Sequence, residues 1–188
     1  SLIPKTDEPN FQTVPHMINA LQGNKFYSTV KADGSSGTIY KNFDKSYLRF
    51  RNLDDIHFGC CSRNLELKDD PKNTIWNLAR KYNLEEILPN YFAIQFEIVG
   101  PGIQSNRMGL DEIDLRVFNV WDIAKREYLS AVPFFEFCHS LSLPTVDIID
   151  WNKTFDFIMD DQLRKYAEGK YDSGYPREGV VFRPMVET

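Results

Sequence analysis

Seven residues, Phe92-Ala-Ile-Gln-Phe-Glu-Ile98, constrain the fold of this 188-residue chain more than any other stretch. Phe92, Ile94, Phe96 and Ile98 alternate with Ala93, Gln95 and Glu97, and a period of two specifies a strand. The bulky row must be buried, so Glu97 is expected on the opposite face. Further short strands are expected near residues 27–33, 37–41, 47–51, 57–61, 116–123 and 179–183. In the strand at 116–123, Phe118 shares a face with Arg116, Val120 and Asp122. Helices are expected at 73–82, 84–88, 134–141 and 155–167. The first has Ile75, Leu78, Ala79 and Tyr82 on one face, and Asn73 can cap it. The last carries Phe155, Ile158, Met159, Leu163 and Tyr166 on one stripe. Strand groups mixed with peripheral helices indicate an α+β domain with antiparallel sheets rather than a doubly wound parallel one.

The whole of residues 1–188 is read as one domain, with residues 1–11 as a Pro- and charge-rich extended arm over its body. A hydrophobic share of 42% and an aromatic share of 14% fit a globular chain. A net charge of −5 argues against a strongly basic nucleic-acid coat. It leaves room for a local stripe from Lys41, Lys45, Arg49 and Arg51, equally readable as a solvated strand. The three cysteines lack zinc-ligand spacing and read as reduced thiols, hence an intracellular location. His16, His57 and His139 form no metal-binding pair. No apolar run approaches membrane-spanning length, and the start is not a signal peptide.

One motif stands at the end of the first strand. Lys31-Ala-Asp-Gly34 precedes a Ser/Gly run expected to turn residues 26–33 into a hairpin, with Thr29, Lys31 and Asp33 on one face. A strand-held amine beside a carboxylate and a permissive glycine suits a lysine nucleophile, which must lose a proton before it attacks. The alternative is a surface lysine before a turn.

Four further motifs follow in order: Cys61-Ser-Arg-Asn64, Phe96-Glu97-Ile-Val-Gly100-Pro-Gly102, Phe118-Asn-Val-Trp-Asp122 and Glu178-Gly-Val-Val-Phe-Arg183. Together with Lys31-Ala-Asp-Gly34 they resemble the motifs of the covalent nucleotidyltransferases, the ATP-dependent ligases and mRNA capping enzymes. Within that superfamily, Gly100-Pro-Gly-Ile-Gln104 and Cys61-Ser-Arg-Asn-Leu-Glu-Leu-Lys68 are most similar to RNA ligases of the Deinococcus/Naegleria type. The resemblance covers nearly the whole chain.

This resemblance implies two packed antiparallel sheets with a nucleotide groove between them, the ATP-grasp-like adenylation domain of ligases. It implies ATP as cofactor, AMP carried on Lys31, and Mg2+ or Mn2+ held by Asp33, Glu97 and Glu178. Nucleotide contacts would come from Lys31, Asp33, Gly34, Ser36, Arg63, Glu97, Phe118 and Arg183. Arg63 would touch ribose or triphosphate, and Phe118 would stack on the base, although alone it reads more often as core. Ser36 replaces an arginine common in DNA ligases and capping enzymes, which leans toward RNA. Glu178 and Arg183 lie on opposite faces of a regular strand, so both meet the groove only if Glu178 precedes the strand or a bulge intervenes.

The implied activity is adenylyl transfer in an ATP-dependent RNA ligase, whose partners are RNA ends or nicked RNA duplex, with a monomer as the default state. A DNA ligase domain, a capping guanylyltransferase and a catalytically silent nucleotide- or RNA-binding domain are the alternatives. The sequence ends at Pro184-Met-Val-Glu-Thr188, before the lysine-containing strand of the family, and without an OB-like RNA-binding module. An excised core with impaired sealing is therefore the expectation.

Overall fold

The computed structural model describes residues 3–5, 14–42 and 57–188. In chain order its elements are α1 (Val14–Leu21), β1 (Lys25–Val30), β2 (Ser35–Asn42), β3 (His57–Ser62) and β4 (Glu66–Leu67). Next come α2 (Thr74–Lys81), α3 (Leu84–Ile87), β5 (Phe92–Val99), β6 (Asp114–Asp122) and β7 (Glu127–Tyr128). The chain continues through α4 (Ala131–Ser140), β8 (Ile148–Thr154), α5 (Asp160–Ala167) and β9 (Val180–Pro184). These strands make two antiparallel sheets, a small one ordered β8-β1-β9 and a large one ordered β4-β3-β2-β5-β6-β7. The architecture is α+β with peripheral helices, as expected. Among the described residues, no helix is long and apolar enough to cross a membrane. Cys60, Cys61 and Cys138 are free thiols.

The alternating row of β5 sets the main core. Ile94, Phe96 and Ile98 pack with Ile39, Leu115 and Val117 of neighbouring strands, beneath Ile75 and Leu78 of α2 and Phe134 of α4. Helix α2 starts where expected because the Asn73 side chain accepts the N–H groups of Ile75 and Trp76 at 3.0 and 3.1 Å. Arg80 and Lys81 in its last turn complement the helix dipole. The other face of the large sheet buries Tyr40, Ala93 and Ile123, against which Ile3 packs. Gln95 on that face donates to the Pro4 carbonyl at 2.9 Å. A second core lies on the outer face of the small sheet, where Phe26, Phe155 and Phe182 meet Leu21 of α1 and Leu163 of α5.

Several local expectations give way to long-range pairing. Strand β1 stops at Val30 and forms no hairpin with β2. The Val30 and Lys31 amides donate to the carbonyls of Asp147 and Gly179 at 2.8 and 3.0 Å, and the chain then crosses to the large sheet, where Ser35 pairs with Ile98. The expected helix at 155–167 begins only at Asp160. Residues 148–154 instead form β8, and Phe155 is held by backbone bonds to Gly23 and Asn24 at 2.9 and 2.8 Å. Ile158 and Met159 of the expected apolar stripe are exposed. Phe118 does not share a face with Val120, because a register shift separates the pairs Gln95–Asn119 and Phe96–Val117 and leaves Phe118 between them. Lys41 is buried, with its ammonium 3.5 Å from the Glu86 carbonyl, so it belongs to no surface stripe. Lys45, Arg49, Arg51 and the expected strand at 47–51 lie outside the described residues, as does most of the expected arm.

The small sheet also contains a pH-sensitive network. Ser28 is buried, 2.6 Å from the Tyr166 hydroxyl, and Tyr166 donates to the Asp150 carboxylate. The Lys153 ammonium first, then the Tyr166 hydroxyl, hold the Asp150 carboxyl below the usual carboxylate range. A lowered folded-state pKa contributes stability above the unfolded value of about 4, lost as pH falls through the folded one. Asp150→Asn is therefore expected to lower the melting temperature at neutral pH. The deficit should vanish at the acid end of a thermal-denaturation series run from pH 7 downward. A deficit of equal size throughout that series would refute the network's contribution.

Candidate active site

The crossover from β1 to β2 carries Lys31, Ala32, Asp33 and Gly34 through the seam between the sheets. Ala32 is buried there with Val99, Phe118 and Val146, which brings the lysine segment against the large sheet. Val99 and Phe118 sit on the strand face opposite the main core, the face expected for Glu97. Gly34 lies so near β5 that a Cβ on it would sit 1.7 Å from the Ile98 carbonyl oxygen and 3.2 Å from Cγ of Glu97. The close backbone approach that this glycine permits is thus made by the protein's own chain.

Lys31 meets Glu178 directly, with Nζ 3.4 Å from Oε1. Glu178 precedes β9, which starts at Val180, and this resolves the conflict between Glu178 and Arg183. The small sheet pairs Arg183 with Tyr27, and the Arg183 guanidinium stands 5.8 Å from the centre of the Phe118 ring. One residue from each sheet thereby faces the seam. Phe118 is only 4% exposed, so in this arrangement the ring is covered by its neighbours.

A row of polar residues extends across one end of the large sheet. Ser36 is opposite Glu97, and Glu97 is opposite Arg116. Gly37 pairs with Ser62, which places Arg63 in the exposed turn just beyond β3, at the same end. Arg116 is itself paired with Asp114 at 3.1 Å.

Asp33 is buried, and its carboxylate accepts the Arg107 amide at 3.3 Å. The carbonyl of Arg107 in turn accepts from the Ser173 hydroxyl. With Asp33 turned toward Arg107 and Glu178 toward Lys31, the three acids expected around one ion make no ready direct-ligand cluster. Among the described residues, no group of three His, Cys, Asp or Glu side chains is placed to hold a metal. Their hard oxygen donors fit a hydrated divalent ion, which keeps several waters and takes few carboxylates.

Sequence reasoning gave no role at the site to Tyr171, Arg107, Arg116 or Arg177. Arg177 donates to the carbonyls of Ala167, Tyr166 and Glu168 at 2.9, 3.1 and 2.8 Å, closing the C-terminal end of α5 just before Glu178. Tyr171, Arg107 and Arg177 sit in no periodic pattern, and all three act through backbone groups or on them. Only proximity in sequence to a motif could have pointed to Arg116 and Arg177.

The sequence model of the family described as RNA ligase matches residues 24–188. Comparison with curated proteins gives no match. Among solved structures, a mutant Naegleria gruberi RNA ligase with ATP and Mn is similar at 31% identity and a TM-score of 0.83, over 98% of this chain and 53% of that one. The same figures describe the Naegleria gruberi RNA ligase with PPi. A further mutant of it, with AMP and Mn, matches at 31% identity with a TM-score of 0.81, over 98% and 54% of the two chains. The chain thus spans about half the length of these relatives.

Proposed function

The chain belongs to the RNA ligase family, and on that premise we propose that it is the adenylyltransferase core of an ATP-dependent RNA ligase. The observation that carries this reading is the Lys31–Glu178 pair at 3.4 Å, set beside the seam where Phe118 and Arg183 face each other. In a ligase of the matched relatives' length, such a core would serve to join RNA 3'-hydroxyl ends to 5'-phosphates.

The chemistry follows from an amine placed beside a carboxylate. Lys31 gives up a proton, and its Nζ lone pair attacks the α-phosphorus of ATP. An N–P bond forms while the bond to the bridging oxygen breaks, and pyrophosphate leaves with that electron pair. The attacking nitrogen loses a second proton as it becomes the phosphoramidate, and both protons pass to solvent water. Storing activation on lysine divides one difficult joining step into easier ones. Glu178 holds the amine in line before attack. Arg183 and Arg63 supply planar donor forks for phosphate or ribose oxygens. A Mg2+ or Mn2+ ion held through water by Asp33, Glu97 and Glu178 would offset the triphosphate charge that these acids would otherwise repel. ATP and Mn in the Naegleria gruberi structures support this choice of nucleotide and metal class.

Phe118 would offer the base a π-face once the Arg183 guanidinium that now lies over the ring moves aside. Base stacking is worth about 1–3 kcal/mol, or about 5- to 150-fold in affinity. Phe118→Leu keeps apolar volume but removes the π-face, so it is expected to weaken ATP binding by that factor with little change in melting temperature. Unchanged affinity in a titration with ATP would assign Phe118 to the core alone. The decisive experiment for the function is incubation of the chain with radiolabelled ATP or GTP and Mn2+, followed by a denaturing gel. Covalent label from ATP in preference to GTP is expected, and absence of label from either would refute the proposal.

A further inference from the structure

Between α5 and β9 the chain makes a closed turn that ends at Glu178. Lys170 and Pro176 bridge across its base, the Tyr171 amide donates to the Tyr175 carbonyl at 2.8 Å, and the Gly174 amide donates to the Tyr171 carbonyl at 2.9 Å. The side chain of Tyr171 leaves this turn and is buried, at 7% exposure. Its hydroxyl donates to the Lys31 carbonyl at 2.8 Å and accepts the Glu178 amide at 3.1 Å. A phenol has one proton to give and lone pairs to receive, so these two bonds use it in both senses. Burial raises the Tyr171 pKa, which keeps that proton in place as the donor.

We propose that Tyr171 is a positioning residue for lysine adenylylation: its hydroxyl ties the backbone of Lys31 to that of Glu178 and so sets the distance between their side chains. This rests on the reading of Lys31 as the nucleophile. The Lys31 amide donates to the Gly179 carbonyl as the last bond of the β1–β9 ladder, just beyond the pair Val30–Val180. Lys31 and Glu178 themselves lie outside both strands, beyond that last bond. The tyrosine supplies a second tie on the far side of the Lys31 peptide. The base of the loop is held independently, by the three carbonyl contacts of Arg177, so loss of the hydroxyl need not release the turn. What it releases is the alignment of amine and carboxylate. Misplacing a reacting group by about 1 Å can cost on the order of 100-fold in rate, without any change in what binds the substrate.

The test compares wild type, Tyr171→Phe and Lys31→Ala as full chains, in single-turnover adenylylation with ATP and Mn2+. Tyr171→Phe is expected to form the lysine–AMP adduct about 10- to 100-fold more slowly, while its ATP dissociation constant stays within about twofold. A wild-type rate in Tyr171→Phe overturns the inference. So does a loss of rate matched by an equal loss of ATP affinity, since that is the mark of general support for the fold. Label persisting in Lys31→Ala, or absent from wild type, refutes the nucleophile reading instead. In that event a crystal structure of Tyr171→Phe decides, without activity, the geometric part of the inference, that the hydroxyl sets the Lys31–Glu178 distance. Departure of the Glu178 carboxylate from salt-bridge distance supports it, and a pair still at 3.4 Å overturns it.

Discussion

Lys31→Ala is expected to abolish covalent transfer of AMP to the chain while leaving ATP binding largely intact. The amine is the only atom of Lys31 that forms a bond in the proposed step, and alanine offers no replacement nucleophile. The backbone contacts of residue 31, its amide to Gly179 and its carbonyl to Tyr171, do not depend on the side chain. The fold around the site should therefore survive the change. Lys31→Arg makes the same point more sharply, because it keeps a cation beside Glu178 but a guanidinium stays protonated in proteins. Both variants should be unlabelled on a denaturing gel, and peptide mapping of labelled wild type should place AMP on Lys31. Adduct on any other lysine would reassign the nucleophile.

Gly34→Ala is expected to be the most damaging of the conservative changes. A Cβ there would lie 1.7 Å from the Ile98 carbonyl oxygen and 2.8 Å from its carbon, both backbone atoms of the second strand in the large sheet's centre. No rotamer change relieves such an overlap, so either the crossover or β5 must move. Overpacking costs about 1–3 kcal/mol and occasionally more, and a clash with central backbone belongs at the upper end of that range. For a domain of this size each kcal/mol lowers the melting temperature by about 2–4 °C, so a fall of about 6–12 °C is expected. Adenylylation should fall as well, because Cγ of Glu97 is in the same contact. Calorimetry of Gly34→Ala showing a wild-type melting temperature would mean that the crossover yields without strain.

Different parts of the fold were legible in the sequence for different reasons. The alternation in 92–98 was sufficient to place Ile94, Phe96 and Ile98 in the core and Glu97 on the other face, since a strand's two faces follow from its own pleat. Asn73 announced α2 equally locally, because the cap bonds only the next three residues. Phe118 was harder. A single inserted residue in β6 shifts every later side chain to the other face, and nothing in Arg116-Val-Phe-Asn-Val120 marks where the ladder slips. The stripe from Phe155 to Tyr166 misled for a related reason. Its apolar spacing is helical, yet Phe155 spends its backbone bonds on Gly23 and Asn24, far away in the chain. At the candidate site the sequence named Lys31 and Glu178, and their approach to 3.4 Å is a tertiary fact. Tyr171 gave no signal at all, since its contacts are to two backbone groups that any residues would carry.

By itself, then, the sequence determined the local grammar of this protein: one-sided strands, a capped helix, and the ordered motifs that set it among the RNA ligases. Tertiary structure alone decided that β1 and β2 part into different sheets. Residues 26–41 read as a hairpin because a turn of Gly and Ser costs little to close, and local closure is the only competition visible in a window of sequence. The outcome is set by partners outside that window. The Asp147 and Gly179 carbonyls capture the end of β1, and β5 captures β2. Those bonds, together with the burial of Ala32 against Phe118 and Val146, outweigh a short hairpin that would leave its own faces uncovered. The crossover they enforce is what carries Lys31 into the seam beside Glu178.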